Sequence, residues 1–158
     1  MKNIKEKTLV ILKPDALQRG ILGEIIARFE DKGIKLVGMK MMKLNDLLLD
    51  KHYAQHKGKA FLPRLKEGMK RLPVIMMVFE GLEVARVVRT MCGSTDGKNA
   101  QPGTIRGDYS MSIANTIVHS SEDVSAANRE INIFFSKKEL FDYAKPDMGY
   151  YYADDELA

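Results

Sequence analysis

His119 is the residue of this chain best suited to covalent chemistry. It follows a short apolar stretch and precedes Ser121, a residue type that often begins a helix. We predict that His119 ends a strand just before a helix N-terminus, where free N–H groups favour phosphate. An imidazole in water is mostly neutral at pH 7, because its pKa is about 6.5, so it can accept a phosphoryl group. By position alone, a packed structural histidine is the more common explanation.

Basic residues from other segments give His119 a chemical context. Lys13 closes the first predicted strand, Arg89 lies late in a predicted helix, and Arg106 lies in a Gly-rich loop. Thr95 adds a hydroxyl donor, although threonine also forms turns. Phosphoryl transfer needs converging cations, since its catalysis is mostly positioning and charge stabilisation. Each cation alone is more often a solvated surface charge. The sequence contains neither of the common phosphate-binding motifs, Gly-x-x-x-x-Gly-Lys-Ser/Thr and Gly-x-Gly-x-x-Gly. Side chains from separate segments must therefore hold any nucleotide.

Two further histidines have a spacing that metal sites use. His52 and His56 are four residues apart on a predicted helix. No third ligand is evident, so we predict no metal site. Cys92, the one cysteine, is interpreted as a small packed side chain.

Composition predicts one globular domain over residues 1–158. Hydrophobic residues make up 45% of the chain and charged residues 29%, which excludes the disordered class. A single cysteine indicates a reducing compartment, and the charged N-terminus lacks a signal-peptide core. No run is long enough to span a bilayer, so we expect a cytoplasmic protein. The net charge of +4 suits phosphate-bearing partners or simply solubility.

The apolar periodicity predicts alternating strands and helices. Strands are expected at residues 8–12, 35–44, 74–79 and 113–119, and helices at 23–32, 45–56, 61–71, 81–92 and 121–135. Residues 94–112 show little periodicity and are predicted to be a long functional loop. This order indicates a ferredoxin-like α+β sandwich, with helices packed over an antiparallel or mixed sheet.

The motifs together resemble those of the nucleoside diphosphate kinases over residues 7–143. The stretch 13–20, KPDALQRG, resembles the opening signature of that family, and 102–108, PGTIRGD, resembles its loop signature. His119, Ser121 and Glu130 resemble its active-site segment. The resemblance implies a ferredoxin-like fold and transfer of the γ-phosphate of a nucleoside triphosphate, typically ATP, to a nucleoside diphosphate. The implied mechanism is ping-pong, through a phosphohistidine on His119.

The resemblance also assigns roles to residues. Glu130 takes the position of the carboxylate that orients the imidazole, and Ser121 that of a nearby hydroxyl. Magnesium is expected to arrive with the nucleotide phosphates and to have few protein ligands. The residues implied to bind nucleotide are Lys13, Tyr53, Arg89, Thr95 and Arg106 around the phosphates, Phe61, Ile113 and Leu65 around the base, and Thr116 near the sugar.

Three positions depart from the family pattern. Ala16 and Ser120 each replace a usual glycine, and Ser120 is expected to add a side chain close to His119. The family places asparagine three residues before the histidine, where this chain has Thr116, with Asn115 one residue earlier. If this stretch is a strand, only one of the two side chains faces the nucleotide, and register with His119 favours Thr116.

The expected partners are nucleoside di- and triphosphates and further copies of this chain. The resemblance implies a homo-oligomer, hexamer or tetramer, and we expect the 94–112 loop to contribute to subunit contacts. The alternative is a catalytically silent relative that binds nucleotide or nucleic acid. The aromatic-rich strand signature of RNA-recognition modules is missing, so we predict no dedicated nucleic-acid site.

Overall fold

The computed structural model describes residues 5–157 and contains one four-stranded antiparallel sheet in the order β2-β3-β1-β4. The strands are β1 (Lys7–Leu12), β2 (Lys35–Met42), β3 (Val74–Glu80) and β4 (Val118–Ser120). The helices are α1 (Pro14–Gln18), α2 (Leu22–Asp31), α3 (Asp46–His52), α4 (Leu62–Lys70), α5 (Val84–Cys92), α6 (Ile105–Tyr109), α7 (Val124–Phe134) and α8 (Asp154–Leu157). Residues 1–4 and residue 158 lie outside the described residues. The prediction that the N-terminus lacks a signal-peptide core falls partly on residues 1–4. Within residues 5–157 no helix is long and apolar enough to cross a membrane.

Helices cover both faces of the sheet. Along β1, Val10 and Leu12 pack into one core with α2 and α5, whereas Leu9 and Ile11 pack into a second core with α3, α4 and α7. Successive strand residues point to opposite faces, so a strand covered on both sides is apolar at every position. This explains why β1 and β3 appear in the sequence as continuous apolar runs. The ferredoxin-like fold is confirmed, and every strand pair is antiparallel.

Three of the described helices, α1, α6 and α8, were not predicted. The first predicted strand ends at Leu12, because Pro14 cannot continue a strand, and no helix is expected directly after it. The structure instead begins α1 at Pro14, which occupies its first turn. Proline is favoured there, since its missing N–H would have no partner in a first turn and its φ is already helical.

The predicted 94–112 loop contains short regular structure. Residues Gly97–Asn99 form a 3₁₀ turn and Ile105–Tyr109 form α6. Thr104 is the N-cap of α6, because its side chain accepts a hydrogen bond from the Gly107 amide at 3.0 Å. The prediction of an irregular loop was therefore wrong over these residues, since elements of three to five residues are too short to show a period.

The strand predicted at residues 113–119 is also shorter than expected. Only Val118–Ser120 pair with β1. Ile117 has φ +67°, and the Val118 amide donates across it to the Thr116 carbonyl at 2.6 Å. This is a γ-turn, a strained conformation that a β-branched residue rarely adopts, so nothing in the apolar pattern signals it.

Helix α7 begins later than predicted. Asp123, not Ser121, is its N-cap and accepts a hydrogen bond from the Ala126 amide at 2.8 Å. Ser121 is instead fully buried beside β1. The Asp123 carboxylate already accepts from one N–H group at this helix N-terminus, and the predicted preference of the remaining N–H groups for phosphate stays a prediction.

Candidate active site

The register of β4 sets the direction of His119. Its cross-strand partner is Ile11, which belongs to the core under α7, so the imidazole lies on the α7 face of the sheet. There its Nε2 lies 3.1 Å from Oε2 of Glu130, a residue of α7. The His119 side chain is 24% exposed and Glu130 is 3% exposed. One side of the imidazole is therefore held by protein, and part of the ring remains open to solvent.

Ser121 ties this pair to the sheet. Its hydroxyl donates to Oε2 of Glu130 at 2.6 Å and accepts from the Leu9 amide at 3.3 Å. Burial alone raises the pKa of the Glu130 carboxyl, but the hydrogen bonds from His119 and Ser121 outweigh it and hold this pKa at about 2. Glu130 is thus an ionised acceptor throughout the neutral range, and a fixed anion behind the imidazole.

Lys13 reaches the segment just before β4. Its Nζ donates to the Thr116 hydroxyl and to the Ala114 carbonyl, both at 3.0 Å. The backbone supports the same contact, because the Lys13 amide donates to the Ile117 carbonyl and Asp15 accepts from the Ile117 amide at 2.9 Å. These bonds fix the γ-turn, and they place a cation against Thr116.

Arg106 lies behind this segment and is 5% exposed. Its guanidinium donates to the Gly93 carbonyl at 2.6 Å and to the Val118 carbonyl at 2.8 Å. Burial lowers the pKa of Arg106 from its ordinary value. The side chain therefore links the end of α5 to β4 while it keeps a buried charge, and its Nε has no hydrogen-bond partner among residues 5–157.

Arg89 and Thr95 line a shared cavity of about 710 Å³. Both residues are exposed, and Gly93 and Ser94 also line the cavity. The lining further includes Glu122 and Asp123, which precede α7. The cavity therefore brings together a cation, a hydroxyl and carboxylates.

Two of the residues predicted to hold the base, Phe61 and Leu65, lie just before and within α4. Phe61, just before α4, is 51% exposed, and Leu65 packs partly against the core under α3 and α4. Ile113 is 69% exposed. Tyr53 is buried, and that burial raises the pKa of its phenol. Phe61 and Ile113 thus present apolar surface to solvent, as expected of a pair that a base would cover.

His52 was not predicted to belong to the site. It ends α3 and is 1% exposed, and its ring lies edge-on to His119 with centroids 4.8 Å apart. Burial and the neighbouring His119 lower the pKa of His52 to about 3. The sequence did contain one indication that His52 is buried: it follows the buried Leu49 by three residues, which puts both on one helix face. The spacing of His52 and His56 suggested that these two histidines act together, but His56 packs near Phe61.

Three residues near His119, namely Ser120, Asn115 and Thr116, lie where the sequence departs from the family pattern. Ser120 pairs with Val10, so its side chain enters the core on the sheet face opposite His119. The expectation that Ser120 adds a side chain close to the imidazole was wrong, because adjacent strand residues alternate. Asn115 is exposed, whereas Thr116 is 5% exposed and contacts Lys13.

Comparisons with known proteins agree with this geometry. The family model for nucleoside diphosphate kinase matches residues 6–140. A nucleoside diphosphate kinase of Parabacteroides distasonis is 52% identical over 96% of this chain and 99% of its own length, and one of Pyrococcus abyssi is 49% identical over 95% and 96%. The structure of a halophilic nucleoside diphosphate kinase from Halobacterium salinarum in complex with CDP superposes with a TM-score of 0.92 at 42% identity, covering 94% of this chain and 99% of that chain. This chain therefore belongs to the nucleoside diphosphate kinase family.

Proposed function

We propose that this protein transfers the γ-phosphate of a nucleoside triphosphate, typically ATP, to a nucleoside diphosphate through a phosphohistidine on His119. The observation that carries the proposal is the hydrogen bond between His119 Nε2 and Glu130. An ionised carboxylate accepts the Nε2 proton, so the neutral tautomer carries its lone pair on Nδ1. Nδ1 is then the nucleophile, and Glu130 stabilises the positive charge that the ring acquires when it attacks phosphorus.

Each half of the reaction exchanges one bond for another. Nδ1 forms a bond to the γ-phosphorus as the bond from that phosphorus to the β–γ bridging oxygen breaks, and the diphosphate leaves with the electron pair. A terminal oxygen of an acceptor diphosphate then attacks the phosphohistidine, and the N–P bond breaks. Lys13, Arg106 and Arg89 supply positive charge for the phosphates, and Thr95 and Tyr53 supply hydroxyl donors.

The nucleoside is assigned to three apolar side chains and to Thr116. Phe61 and Ile113 are proposed to sandwich the base, with Leu65 beside it, and Thr116 to face the sugar. Stacking on an aromatic face depends little on base identity, which suits an enzyme that accepts several nucleotides. Magnesium enters with the phosphates as part of the substrate. The Glu122 carboxylate in the Arg89–Thr95 cavity is an oxygen ligand of the type that magnesium prefers, directly or through water.

The proposal extends to assembly and compartment. We propose one domain over the whole chain and a homo-oligomer, hexamer or tetramer. Met39 and Met41 on the edge strand β2 are 48% and 57% exposed, and Met111 at the end of the 94–112 loop is 82% exposed. Apolar side chains at such positions favour contact with another subunit. The buried free thiol of Cys92 supports a reducing compartment, for which we propose the cytoplasm.

The decisive experiment incubates the protein with γ-labelled ATP in the absence of acceptor. We expect an acid-labile, base-stable protein phosphate, which a nucleoside diphosphate then discharges. His119→Gln should abolish both labelling and transfer, while His56→Gln, a change at a histidine outside the site, should preserve them. Undiminished transfer by folded His119→Gln protein would exclude this mechanism. Nucleotide binding without labelling of the wild-type chain would favour the silent binding protein.

A further inference from the structure

His52, His119 and Glu130 form a compact cluster in which one ligand atom of each lies within 4.8 Å of the others. Three elements contribute, since the residues come from α3, β4 and α7. Glu130 is close to both histidines: its Oε2 is 3.1 Å from Nε2 of His119, and its Oε1 is 3.8 Å from Nδ1 of His52. Each imidazole therefore approaches a different oxygen of one carboxylate.

Neither nitrogen of the His52 ring has a hydrogen-bond partner among residues 5–157. The ring is 1% exposed, and its other neighbours are the Tyr53 and Phe134 rings, at centroid distances of 4.4 and 5.3 Å. Buried polar atoms are nearly always paired, because loss of hydration without a new partner is unfavourable. The proposed phosphoryl transfer uses neither nitrogen, so it gives no reason for a histidine rather than an apolar residue here.

The donor set is one that a particular class of ion prefers. Two neutral imidazoles and a carboxylate are typical ligands of Zn²⁺ and related divalent transition ions, whereas Mg²⁺ prefers oxygen ligands. Ligand bonds of about 2.0–2.2 Å around a tetrahedral ion bring ligand atoms to about 3.5 Å from one another. Side-chain shifts of about 1 Å would close this cluster around such an ion.

We propose that His52, His119 and Glu130 bind one Zn²⁺-class transition ion, with solvent from the open side of His119 as the remaining ligand. The ion replaces the proton on Nε2 of His119. Glu130 then coordinates the ion and no longer accepts a hydrogen bond from His119. His52 supplies the ligand that the reaction itself does not need. Arg129, whose guanidinium is 3.7 Å from Oε1 of Glu130, opposes a cation here and weakens the site without blocking it.

Occupation of this site stops phosphorylation of His119. This consequence rests on the proposed function, whereas the proposal that the ion binds is independent of it. A metal-bound imidazole without its carboxylate partner is a poorer nucleophile, because the ion withdraws electron density from the ring. Magnesium at assay concentrations does not relieve the inhibition, since it does not compete for two imidazoles. A chelator restores the reaction.

Binding is tested first, on nucleotide-free wild-type protein with Mg²⁺ in excess. We expect calorimetry to give one Zn²⁺ per chain, and Co²⁺ to give the intense visible bands of a four-coordinate site. His52→Phe keeps an aromatic ring between Tyr53 and Phe134 and removes both nitrogens, and His52→Gln is the alternative if that variant does not fold. Each should weaken Zn²⁺ binding about tenfold or more, by analogy with the 10- to 100-fold losses seen when support to a metal site is removed.

The matched control is His56→Gln, since His56 lies four residues away outside the cluster. It should bind Zn²⁺ as the wild type does. Loss of binding in His56→Gln with retention in folded His52→Phe or His52→Gln would overturn the proposal, because it would place the ion on the surface of the helix. Absence of Zn²⁺ binding and of Co²⁺ bands in wild-type protein would also overturn it.

Labelling with γ-labelled ATP then tests the consequence. Saturating Zn²⁺ should lower phosphohistidine formation at least about tenfold in wild-type and His56→Gln protein, and His52→Phe should resist that inhibition. Failure of wild-type labelling without Zn²⁺, together with a normal Co²⁺ spectrum, would contradict the proposed function and leave the ion site standing. Normal labelling that saturating Zn²⁺ does not change would contradict the inhibitory role.

Discussion

The Lys13 ammonium is engaged before any substrate binds, because it donates to the Thr116 hydroxyl and the Ala114 carbonyl. A lysine held in this way loses little conformational freedom when a phosphate or sugar oxygen arrives. Thr116 keeps its own hydroxyl proton for a further bond, since it acts as acceptor toward Lys13. With Thr116 assigned to the sugar as proposed, these two residues set how this chain differs from one with asparagine at the same position.

We expect Thr116→Asn to improve the specificity constant. The amide oxygen can accept from Lys13 in place of the hydroxyl, while the amide NH₂ reaches further toward a sugar hydroxyl. A net gain of about 0.5–1.5 kcal/mol corresponds to a two- to twelve-fold higher kcat/KM. Asn115→Ala should change little, because Asn115 is exposed. Steady-state kinetics with ATP and a diphosphate acceptor measure both; the reverse pattern would show that Asn115 contacts the sugar.

The charge of Lys13 should control the alkaline limb of activity. Burial lowers the pKa of Lys13 from 10.5, the nearby Asp15 opposes this, and Arg106 adds to it. The ammonium therefore loses its proton at a lower pH than an exposed lysine, and kcat/KM should begin to fall below pH 10.5. Lys13→Arg keeps its charge throughout that range, so its profile should stay flat further into alkali, at a lower plateau. Coincident alkaline limbs in the two proteins would assign the fall to another group.

At the scale of elements, sequence and structure agree where a segment is long and covered by the core. β1, α2, β2, β3 and α4 fall within a few residues of their predicted positions, because continuous or periodic apolar residues reflect burial directly. The differences concern short elements set by single contacts. Pro14 begins a helix, Asp123 replaces Ser121 as a cap, and Ile117 bends the chain before β4.

The site shows the same division. The cluster of His119, Ser121 and Glu130 was expected from the motif resemblance, and the structure brings these three residues together. The position of His52 was not expected, because its spacing from Leu49 indicates a buried helix face and does not indicate which element that face contacts. Such contacts depend on how α3 packs beside α7, which only the assembled fold determines.

Glu80 joins three strands at one end of the sheet, and we predict that Glu80→Gln lowers the free energy of unfolding by about 1–3 kcal/mol. Its carboxylate lies 2.7 Å from Lys7 of β1 and 3.0 Å from Lys35 of β2. Burial raises the pKa of Glu80, but the bonds from both lysines outweigh it and lower this pKa below 4.5. The stabilisation is therefore present above pH 4.5 and is lost as the pH falls through the lowered pKa.

Urea unfolding at pH 7 and at several lower pH values checks this prediction. The difference between wild-type and Glu80→Gln protein should be largest at pH 7 and shrink as the pH falls. Glu67→Gln is the matched control, because Glu67 forms a pair with Lys70 on the exposed surface of α4 and such pairs contribute little. A pH-independent difference would show that Glu80 acts by packing and not by charge.

For the whole molecule, the strand order leaves β2 at an edge of the sheet, with exposed methionines on it. The opposite edge, β4, is only three residues long and carries the candidate nucleophile. An eight-residue edge strand is a ready template for another chain unless charge or a covering element protects it. The chain itself covers part of this edge, because the Phe141 amide donates to the Val37 carbonyl at 2.8 Å and the Tyr143 hydroxyl to the Leu36 carbonyl at 2.6 Å. The exposed methionines follow this covered part, and they are the part of β2 that suits assembly.

We predict a homo-oligomer at micromolar concentration, held in part through β2. Light scattering on wild-type protein should give a multiple of 17.8 kDa, and Met39→Lys with Met41→Lys should lower that mass. Lysine on an edge strand resists pairing, because burial of its charge at an interface is unfavourable. Leu47→Lys, a change at an exposed apolar residue of α3, should leave the mass unchanged. A wild-type monomer would refute the prediction.

The γ-turn at Ile117 has a consequence for how this region tolerates sequence change. A strained φ of this kind costs about 1–3 kcal/mol, which glycine would relieve. Burial of the isoleucine side chain, which is 1% exposed, stabilises by about 1.5–3 kcal/mol, which glycine would lose. Glycine would also leave a cavity and would add freedom to the unfolded chain, so isoleucine remains the more stable residue at position 117 despite the strain. The bent backbone is held by Asp15, whose carboxylate accepts from the Ile117 amide whichever side chain stands there.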